Sequence, residues 1–350
     1  MRSRITAIIA FITLIATGCV HEWPVPVPAD TIIKLKFSRE LPQGPQQEWD
    51  TRAGNPDSHD MRYTMELYAE LSEGKYDESA PYAKYVFSKA DISEIDTAIT
   101  INIMEGKYLC RVWADYVDNG SIEDKYYNPS NFEYIKLLGR DEKVQHSGNN
   151  DYRDAFMGTQ EIEVIKFGGN RPLSEATIEM TRPLSKVVFI TTDLRNWKTK
   201  VLTNLYEALL QGIKSGEEID MSMLPTDVDL NEYIVKINYP LYMPNSFNMV
   251  DDELPWSDQG VSFESKLIQL NDDEASMGFD YVFARKDDPK VDMMVSLHTL
   301  DGVEIARSNI IPVILERGKV TTVKGSFLLN KSDGGVSINP DFDGEFNIEL

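Results

Sequence analysis

The sequence predicts a mainly β protein with two tandem antiparallel β-sandwiches and a few short helices. The first observation is that many short segments alternate apolar and polar residues with a period of two, as half-buried strands do. The second is that Gly, Pro, Asn and Asp residues separate these segments as turn signals. The third is the length of 350 residues, which is more typical of two domains than of one.

The first residues, 1–18, have the order of a lipoprotein signal peptide. Arg2 and Arg4 precede an apolar run from Ile5 to Ala16, which is shorter than the roughly 20 residues that cross a bilayer. Small residues then lead directly to Cys19, as a lipoprotein signal peptidase requires. We therefore predict cleavage before Cys19 and lipidation of its thiol with acyl chains such as palmitate. The alternative, an ordinary secretory signal, would leave Cys19 reactive in an oxidising compartment.

Residues 19–30 are predicted to form a tether. Pro24, Pro26 and Pro28 alternate with other residues, a pattern that favours an extended polyproline conformation and forbids a helix. Such a semi-rigid linker would hold the folded body a short distance from the lipid. We therefore expect an outer-membrane lipoprotein at the cell surface, with the lipid as its only contact with the membrane.

Residues 31–182 are predicted to form the first sandwich. Alternating residues at 31–38 and 61–71 indicate half-buried strands, and the Gly- and Pro-rich stretch 42–60 between them indicates an exposed loop. The same pattern predicts further strands at 82–89, 98–104, 107–117, 161–167 and 176–180.

Three local features complete this first region. Glu105-Gly106 predicts a tight hairpin between the strands on either side. Ser130 is a candidate cap for a short helix predicted over 132–138. Cys110 has apolar neighbours, and acylation of Cys19 leaves it no disulfide partner, so it is predicted to be a small buried residue on a strand.

Residues 183–332 are predicted to form a second sandwich of the transthyretin or immunoglobulin-like kind, with the boundary near Arg182-Pro183 and a strand tail at 333–350. One helix is predicted over 199–213, because apolar residues recur there at helical spacing. Its apolar face consists of Leu202, Leu205, Tyr206, Leu209 and Leu210. Strands are predicted at 184–193, 233–238, 278–284, 291–299, 304–312 and 319–329.

The composition restricts the partners. A formal net charge of −22 repels nucleic acid phosphates and anionic lipid headgroups, so neither is an expected partner of the protein surface. With 42% hydrophobic and 10% aromatic residues, the chain is expected to fold despite this charge.

No established catalytic or metal-binding pattern is present in the sequence. The four histidines, His21, His59, His146 and His298, are scattered singly, and no Gly-x-Ser-x-Gly, phosphate-binding loop or His-Glu-x-x-His motif occurs. Residues 339–344 copy the first half of a calcium loop but lack its glutamate and its following helix. We predict no catalytic residue, no metal and no cofactor, and hence no enzyme; an unfamiliar carboxylate site remains the alternative.

Three motifs carry a resemblance. They are Arg-Pro-Leu-Ser-Lys-Val-Val-Phe-Ile at 182–190, Gly-Lys-Val-Thr-Thr-Val-Lys-Gly-Ser-Phe-Leu at 318–328, and Gly-Gly-Val-Ser-Ile-Asn-Pro-Asp-Phe-Asp-Gly at 334–344. With the signal, the tether and two sandwiches, the chain resembles fimbrillin-like lipoproteins, the subunits and anchors of type V pili, and a related uncharacterised fimbrillin-like domain family. The motifs themselves cover roughly a tenth of the chain.

The resemblance implies assembly by strand exchange. An arginine-specific protease would cut after Arg52, the first strand would leave with the lipid, and a strand of a neighbouring subunit would fill the gap. Phe346, Ile348 and Leu350 alternate at the C-terminus and are candidates for the donated side chains. The alternatives are that Arg52 is an ordinary loop arginine, that the last strand pairs within its own domain, or that an anchor retains its lipid and first strand.

These observations favour a structural or adhesive component of a surface pilus, with other pilus subunits as partners and a host or glycan ligand as a further possibility. The alternative function is a surface glycan-binding lipoprotein. In that case exposed aromatic residues would stack on sugars, the candidates being Trp113, Trp197 and Trp256. Solvent exposure of these three side chains on one plane would favour the alternative.

Overall fold

The computed structural model describes residues 28–37, 59–90, 96–138, 146–165, 174–214, 225–285, 290–329, 337–339 and 346–349. The fold is mainly β, which confirms the predicted fold class. The strands up to residue 180 are β1 (Pro28–Phe37), β2 (His59–Ser72), β3 (Lys75–Tyr76), β4 (Ala83–Ala90), β5 (Asp96–Met104), β6 (Gly106–Asp118), β7 (Tyr127–Asn128), β8 (Ile135–Leu137), β9 (Ala155–Val164) and β10 (Ser174–Met180).

The remaining elements follow in the second half of the chain. One α-helix, α1 (Leu194–Lys214), and two short 3₁₀ helices, Asp151–Arg153 and Leu230–Glu232, are present among the described residues. The strands are β11 (Leu184–Thr191), β12 (Tyr233–Tyr239), β13 (Met243–Pro244), β14 (Ser246–Phe247), β15 (Ser257–Asp258), β16 (Val261–Lys266), β17 (Ile268–Gln269), β18 (Ala275–Phe283), β19 (Lys290–Thr299), β20 (Glu304–Arg307), β21 (Ile311–Ile314), β22 (Val320–Gly325), β23 (Ser337–Asn339) and β24 (Phe346–Glu349).

The first sandwich consists of two sheets that share one hydrophobic core. One sheet has the order β10-β1-β5, and the other has the order β3-β2-β6-β9 with β4 also paired to β2. Their inward-facing side chains form a single buried cluster, to which β1, β2, β5, β6, β9 and β10 all contribute. Cys110 is fully buried in this cluster on β6, as its apolar surroundings predict.

The predicted hairpin at Glu105-Gly106 is wrong. The strands β5 and β6 do follow one another there, but β5 pairs with β1 while β6 pairs with β2 and β9 in the opposite sheet. Gly106 has a φ of +153°, in a region that glycine tolerates far better than other residues. The turn therefore carries the chain from one sheet to the other.

The short helix predicted over 132–138 is also wrong. The backbone N–H groups of Ser130 and Glu133 donate to the side chains of Asn128 and Asn131, which produces consecutive tight turns. The following residues form β8, which pairs with β7 on one side and β14 on the other. Tertiary pairing and asparagine turns thus override the local helical pattern.

The second sandwich is built from a sheet with the order β17-β18-β11-β22-β24-β23 and a sheet with the order β16-β12-β19-β20. The strand predicted at 304–312 is interrupted, since β20 and β21 are separate strands that both pair with β19. The core between these sheets extends beyond them: residues of the connector, defined here as 119–154 between β6 and β9, belong to the same buried cluster. They are Tyr127, Phe132, Ile135 and Leu137.

Helix α1 begins at Leu194, five residues before its predicted start. Leu194 and Trp197 are buried at its beginning, where it meets the second sandwich. The predicted apolar face becomes progressively exposed further along, so that Leu205 and Leu210 belong to the exposed large apolar residues. No helix in the described part of the chain is long and apolar enough to span a membrane.

The first strands of the two sandwiches occupy equivalent positions. β1 lies between β5, which runs antiparallel to it, and β10, which runs parallel. β11 likewise lies between antiparallel β18 and parallel β22. The predicted domain boundary at Arg182-Pro183 falls between β10 and β11 and stays a prediction.

Candidate functional site

The first-strand groove is the space between β5 and β10 that β1 occupies. Along β10 the register runs in parallel from Thr31 opposite Ser174 to Phe37 opposite Met180. Along β5 it runs antiparallel from Pro28 opposite Met104 to Lys36 opposite Asp96. Because β1 pairs with a neighbour on each side, its removal would leave two rows of unpaired backbone donors and acceptors.

The inward face of β1 is part of the first core. Ile33 and Leu35 are fully buried, and Ala29 and Thr31 are nearly so. They pack in one cluster with residues of both sheets, among them Met65 and Cys110. The strand therefore fills pockets that only another alternating apolar strand could fill in the same way.

Thr31 is an exception on this inward face. Its Oγ1 atom is buried and has no hydrogen-bond partner. An unsatisfied buried hydroxyl costs about 1–3 kcal/mol, whereas an apolar group of the same shape avoids that cost. At this position the native strand is thus a poorer occupant of the groove than a strand with valine would be.

The outward face of β1 carries charges that match its neighbours. Lys34 Nζ lies 2.7 Å from Glu175 Oε2, and Lys36 Nζ lies 3.3 Å from Glu179 Oε1. On the other side, Asn102 Nδ2 donates to Asp30 Oδ1 at 2.7 Å. Local sequence patterns did not predict these contacts, because β1 and β10 are more than 130 residues apart, although charged residues alternate on both segments.

The predicted lipidation and cleavage sites flank β1 along the chain. Cys19 precedes it and Arg52 follows it, and both lie outside the described residues. Their roles stay predictions. Their order in the sequence nevertheless means that one cut after Arg52 would separate tether and first strand from the rest of the polypeptide.

The C-terminal strand pairs within its own chain. β24 lies between β22, to which it runs parallel, and β23, to which it runs antiparallel. In this register Phe346 stands opposite Thr321 and Ile348 stands opposite Val323. Leu350 lies outside the described residues. The backbone of the candidate donor strand is therefore engaged in the second sandwich, and its donation stays a prediction.

The three tryptophans do not form one exposed plane. Trp113 has 0% and Trp197 has 2% of its surface exposed, whereas Trp256 has 62% exposed. Trp113 packs against Tyr127 and Phe283 where the connector meets the second sandwich. The condition that would favour the glycan-binding alternative is therefore not met, and Trp256 is the one exposed side chain of the three.

A buried ionic cluster, which the sequence did not predict, attaches the connector to the second sandwich. Asp280 accepts hydrogen bonds from Arg153 at 2.8 Å and Tyr239 at 2.6 Å, and His146 Nε2 lies 2.6 Å from the same carboxylate. Burial alone would raise the pKa of Asp280, but Arg153, His146 and the hydrogen bonds hold it below its ordinary value. The cluster is therefore a charged, fully paired structural link.

The other described histidines have structural contacts as well. His59 stacks on Tyr152 with ring centroids 3.7 Å apart, and His298 Nε2 lies 2.9 Å from Ser296 Oγ. His21 lies outside the described residues. Within the described ranges, no group of three or more His, Cys, Asp or Glu side chains has the arrangement of a metal site.

The fold and the groove define a two-sandwich β protein whose first strand is central in its sheet. The chain belongs to a family of unknown function (DUF6562), whose model matches residues 28–350. No curated protein matches it.

Three solved structures illustrate the similarity. A proposed polysaccharide-binding protein from Bacteroides thetaiotaomicron has 14% identity and a TM-score of 0.43, with 81% of this chain and 80% of that chain covered. The fimbrial anchor protein Mfa2 from Porphyromonas gingivalis has 11% identity and a TM-score of 0.38, with 80% and 82% covered. A fimbrial assembly protein from Parabacteroides distasonis has 11% identity and a TM-score of 0.38, with 86% and 92% covered.

Proposed function

We propose that this protein is a non-enzymatic structural or adhesive component of a surface pilus. It is exported to the outer membrane as a lipoprotein on Cys19, and it joins other subunits through the first-strand groove after cleavage behind Arg52 has released the lipid together with β1. The observation that carries the proposal is the position of β1. It is the central strand of its sheet and supplies buried side chains, yet it is the first strand among the residues that the structure describes.

Strand replacement fits this position physically. Loss of β1 would expose the facing edges of β5 and β10 together with the apolar pockets of Ile33 and Leu35. An incoming strand would satisfy the exposed edges and the apolar pockets at once. Its backbone would form the hydrogen bonds, and every second side chain would be buried in a pocket. This mode of joining needs no catalytic residue.

The direct test is the N-terminal sequence of the protein in isolated surface fibres. Strand exchange predicts a mature N-terminus at Ala53, whereas a lipidated Cys19 on polymerised material would contradict it. The matched variant Arg52→Ala should keep residues 19–52 attached and should disappear from the fibres. Its amount in the membrane fraction shows whether it is still exported.

A reversible lock on β1 tests the groove independently of the cleavage site. Lys34 and Ala98 stand opposite each other and both face solvent, which is a geometry that a disulfide can bridge after Lys34→Cys and Ala98→Cys. The locked protein should not join fibres, and a reducing agent should restore assembly. The single variant Ala98→Cys is the control and should assemble under both conditions.

The surface glycan-binding function remains the alternative, and Trp256 is the residue that favours it. If glycan binding were the function, Trp256→Ala should abolish retention on immobilised polysaccharide while fibre assembly is unchanged. The pilus proposal also expects fibre assembly to be unchanged, because Trp256 lies in the second half of the chain and contributes nothing to the first-strand groove, but it expects no loss of polysaccharide retention in Trp256→Ala.

A further inference from the structure

The outward rim of the first-strand groove is acidic on the β10 side. Glu175 and Glu179 are exposed there, and in the intact chain their partners are Lys34 and Lys36 of β1. When β1 leaves, Glu175 and Glu179 lose their lysine partners, so the β10 side of the vacated groove carries two exposed carboxylates without the cations that neutralise them in the intact chain.

From this charge pattern, and resting on the proposed function, we propose that the groove selects a partner strand with basic side chains at the two outward positions held by Lys34 and Lys36. The inward positions of the groove discriminate little between partner strands, because many alternating strands offer aliphatic side chains there. Cross-strand pairs of opposite charge stabilise a sheet, and like charges opposite each other destabilise it. The outward row therefore distinguishes between strands that fill the pockets equally well.

The C-terminal strand of this chain does not meet the requirement. With Phe346, Ile348 and Leu350 directed inward, the outward residues are Asn347 and Glu349. If the strand runs in the direction of β1 and Ile348 takes the place of Ile33, Glu349 takes the place of Lys34. If Ile348 takes the place of Leu35, Glu349 takes the place of Lys36. In both registers a carboxylate replaces an ammonium group beside the acidic rim.

The partner is therefore a different chain with a basic-faced strand, and not a second copy of this protein. Head-to-tail polymers of this chain alone are disfavoured, which suits an adaptor or tip position. The two pairs are solvent-exposed, so the selectivity is moderate and depends on ionic strength.

The test uses the complete chain with Cys19→Ser and a specific protease site inserted after Arg52. The protease cuts the folded protein at this site, and both fragments remain bound to each other. A fluorescent label on the N-terminal fragment reports its displacement by ten-residue peptides. The native peptide spans residues 28–37, and the variants carry Lys34→Glu with Lys36→Glu, or Lys34→Asn with Lys36→Glu to reproduce the C-terminal outward row. We expect the native peptide to compete at least about fivefold better than either variant at low salt, with the difference lost near 1 M salt.

A protein variant provides the matched control. Glu175→Lys with Glu179→Lys should reverse the preference among the same peptides. Equal competition by all three peptides on the unmodified chain would overturn the inference and leave strand exchange intact. Failure of every peptide, the native one included, would contradict the proposed function instead.

If no peptide competes, the intact, unnicked chain still tests the charge preference. A cycle of Lys36→Glu, Glu179→Lys and the double variant, followed by urea unfolding, measures the coupling between the two strands. We expect each single variant to be less stable than the double variant at low salt. Additive effects would overturn the inference.

Discussion

The first strands of the two sandwiches, β1 and β11, have the same neighbours in the sheet but different surroundings. Both lie between an antiparallel and a parallel partner. β1 buries one face and presents charged residues on the other, whereas most side chains of β11 are buried on both faces. Thus β1 is attached to the body through one apolar face, its backbone and exposed polar pairs, while β11 is enclosed on both sides.

The contacts around β11 explain why β1 is the more replaceable of these two central strands. β11 is continuous with β10 through Arg182, whose guanidinium pairs with Asp154 at 2.8 Å and lies over the ring of Phe156. Its outward Lys186 pairs with Asp151 of the connector at 2.8 Å. β1 has no such cover in the described part of the chain, and a single cut would free it.

The largest expected effect lies on the enclosed side of this comparison. Asp280→Ala removes the carboxylate that Arg153 and His146 share and leaves the buried guanidinium of Arg153 without a neutralising charge, so the free energy of unfolding should fall by about 3–5 kcal/mol. The loss should appear in urea unfolding of the second sandwich. Tyr239→Phe removes a single donor from the same carboxylate and should cost only about 1 kcal/mol. Equal losses would show that the cluster is not a charged unit.

Truncation inside the groove should have the next largest effect. Leu35→Ala empties a fully buried site and should lower the free energy of unfolding of the first sandwich by about 2–5 kcal/mol. Ile32→Ala on the outward face is the control, and its loss should be well under half of that because Ile32 is only half-buried. If the two variants lose equal stability, β1 is not held through its inward face.

Acid should weaken the link between the connector and the second sandwich. Since the pKa of Asp280 is below its ordinary value in the folded state, its contribution is present above about pH 4 and is lost as the pH falls through the folded value. Asp280→Asn should therefore show a shallower loss of stability below about pH 4 in urea titrations at several pH values. An unchanged slope would contradict the charged state of Asp280.

The smallest expected effect is a gain in stability of the first sandwich. Thr31→Val removes the unpartnered buried hydroxyl from β1 and should stabilise the first sandwich by about 1 kcal/mol. Thr177→Val on the exposed face of β10 is the control and should change stability by less than about 0.5 kcal/mol. Destabilisation by Thr31→Val would mean that the hydroxyl has a partner in solution.

The sequence predicted those parts of the fold that depend on local periodicity. Strands with regular alternation, such as β2 and β6, were predicted to within two residues of their bounds. The sequence could not predict that β5 and β6 belong to different sheets. Their placement depends on the conformation of Gly106 and on which sheet has space for the next strand. The same holds for β8, whose conformation is fixed by strands from distant parts of the sequence.

The candidate site was predictable only in part. The inward alternation of β1 is a local property, so the strand and its buried side chains could be inferred from sequence. The matching of Lys34 with Glu175 depends on the tertiary register between two distant segments. The cluster around Asp280 likewise joins residues more than 120 positions apart, and single histidines and arginines in a sequence give no sign of such a contact.

The reactivity of Cys110 tests most directly whether β1 is a replaceable strand that covers the first core. Burial raises the pKa of this thiol to about 12 and shields it, so alkylation of the intact Cys19→Ser chain should be very slow. After nicking at the site inserted behind Arg52, the bound N-terminal fragment can leave the groove reversibly, so labelling should accelerate, and excess peptide of residues 28–37 should suppress it again. Protection of Cys110 in the nicked chain equal to that in the intact chain, with or without peptide, would contradict the account.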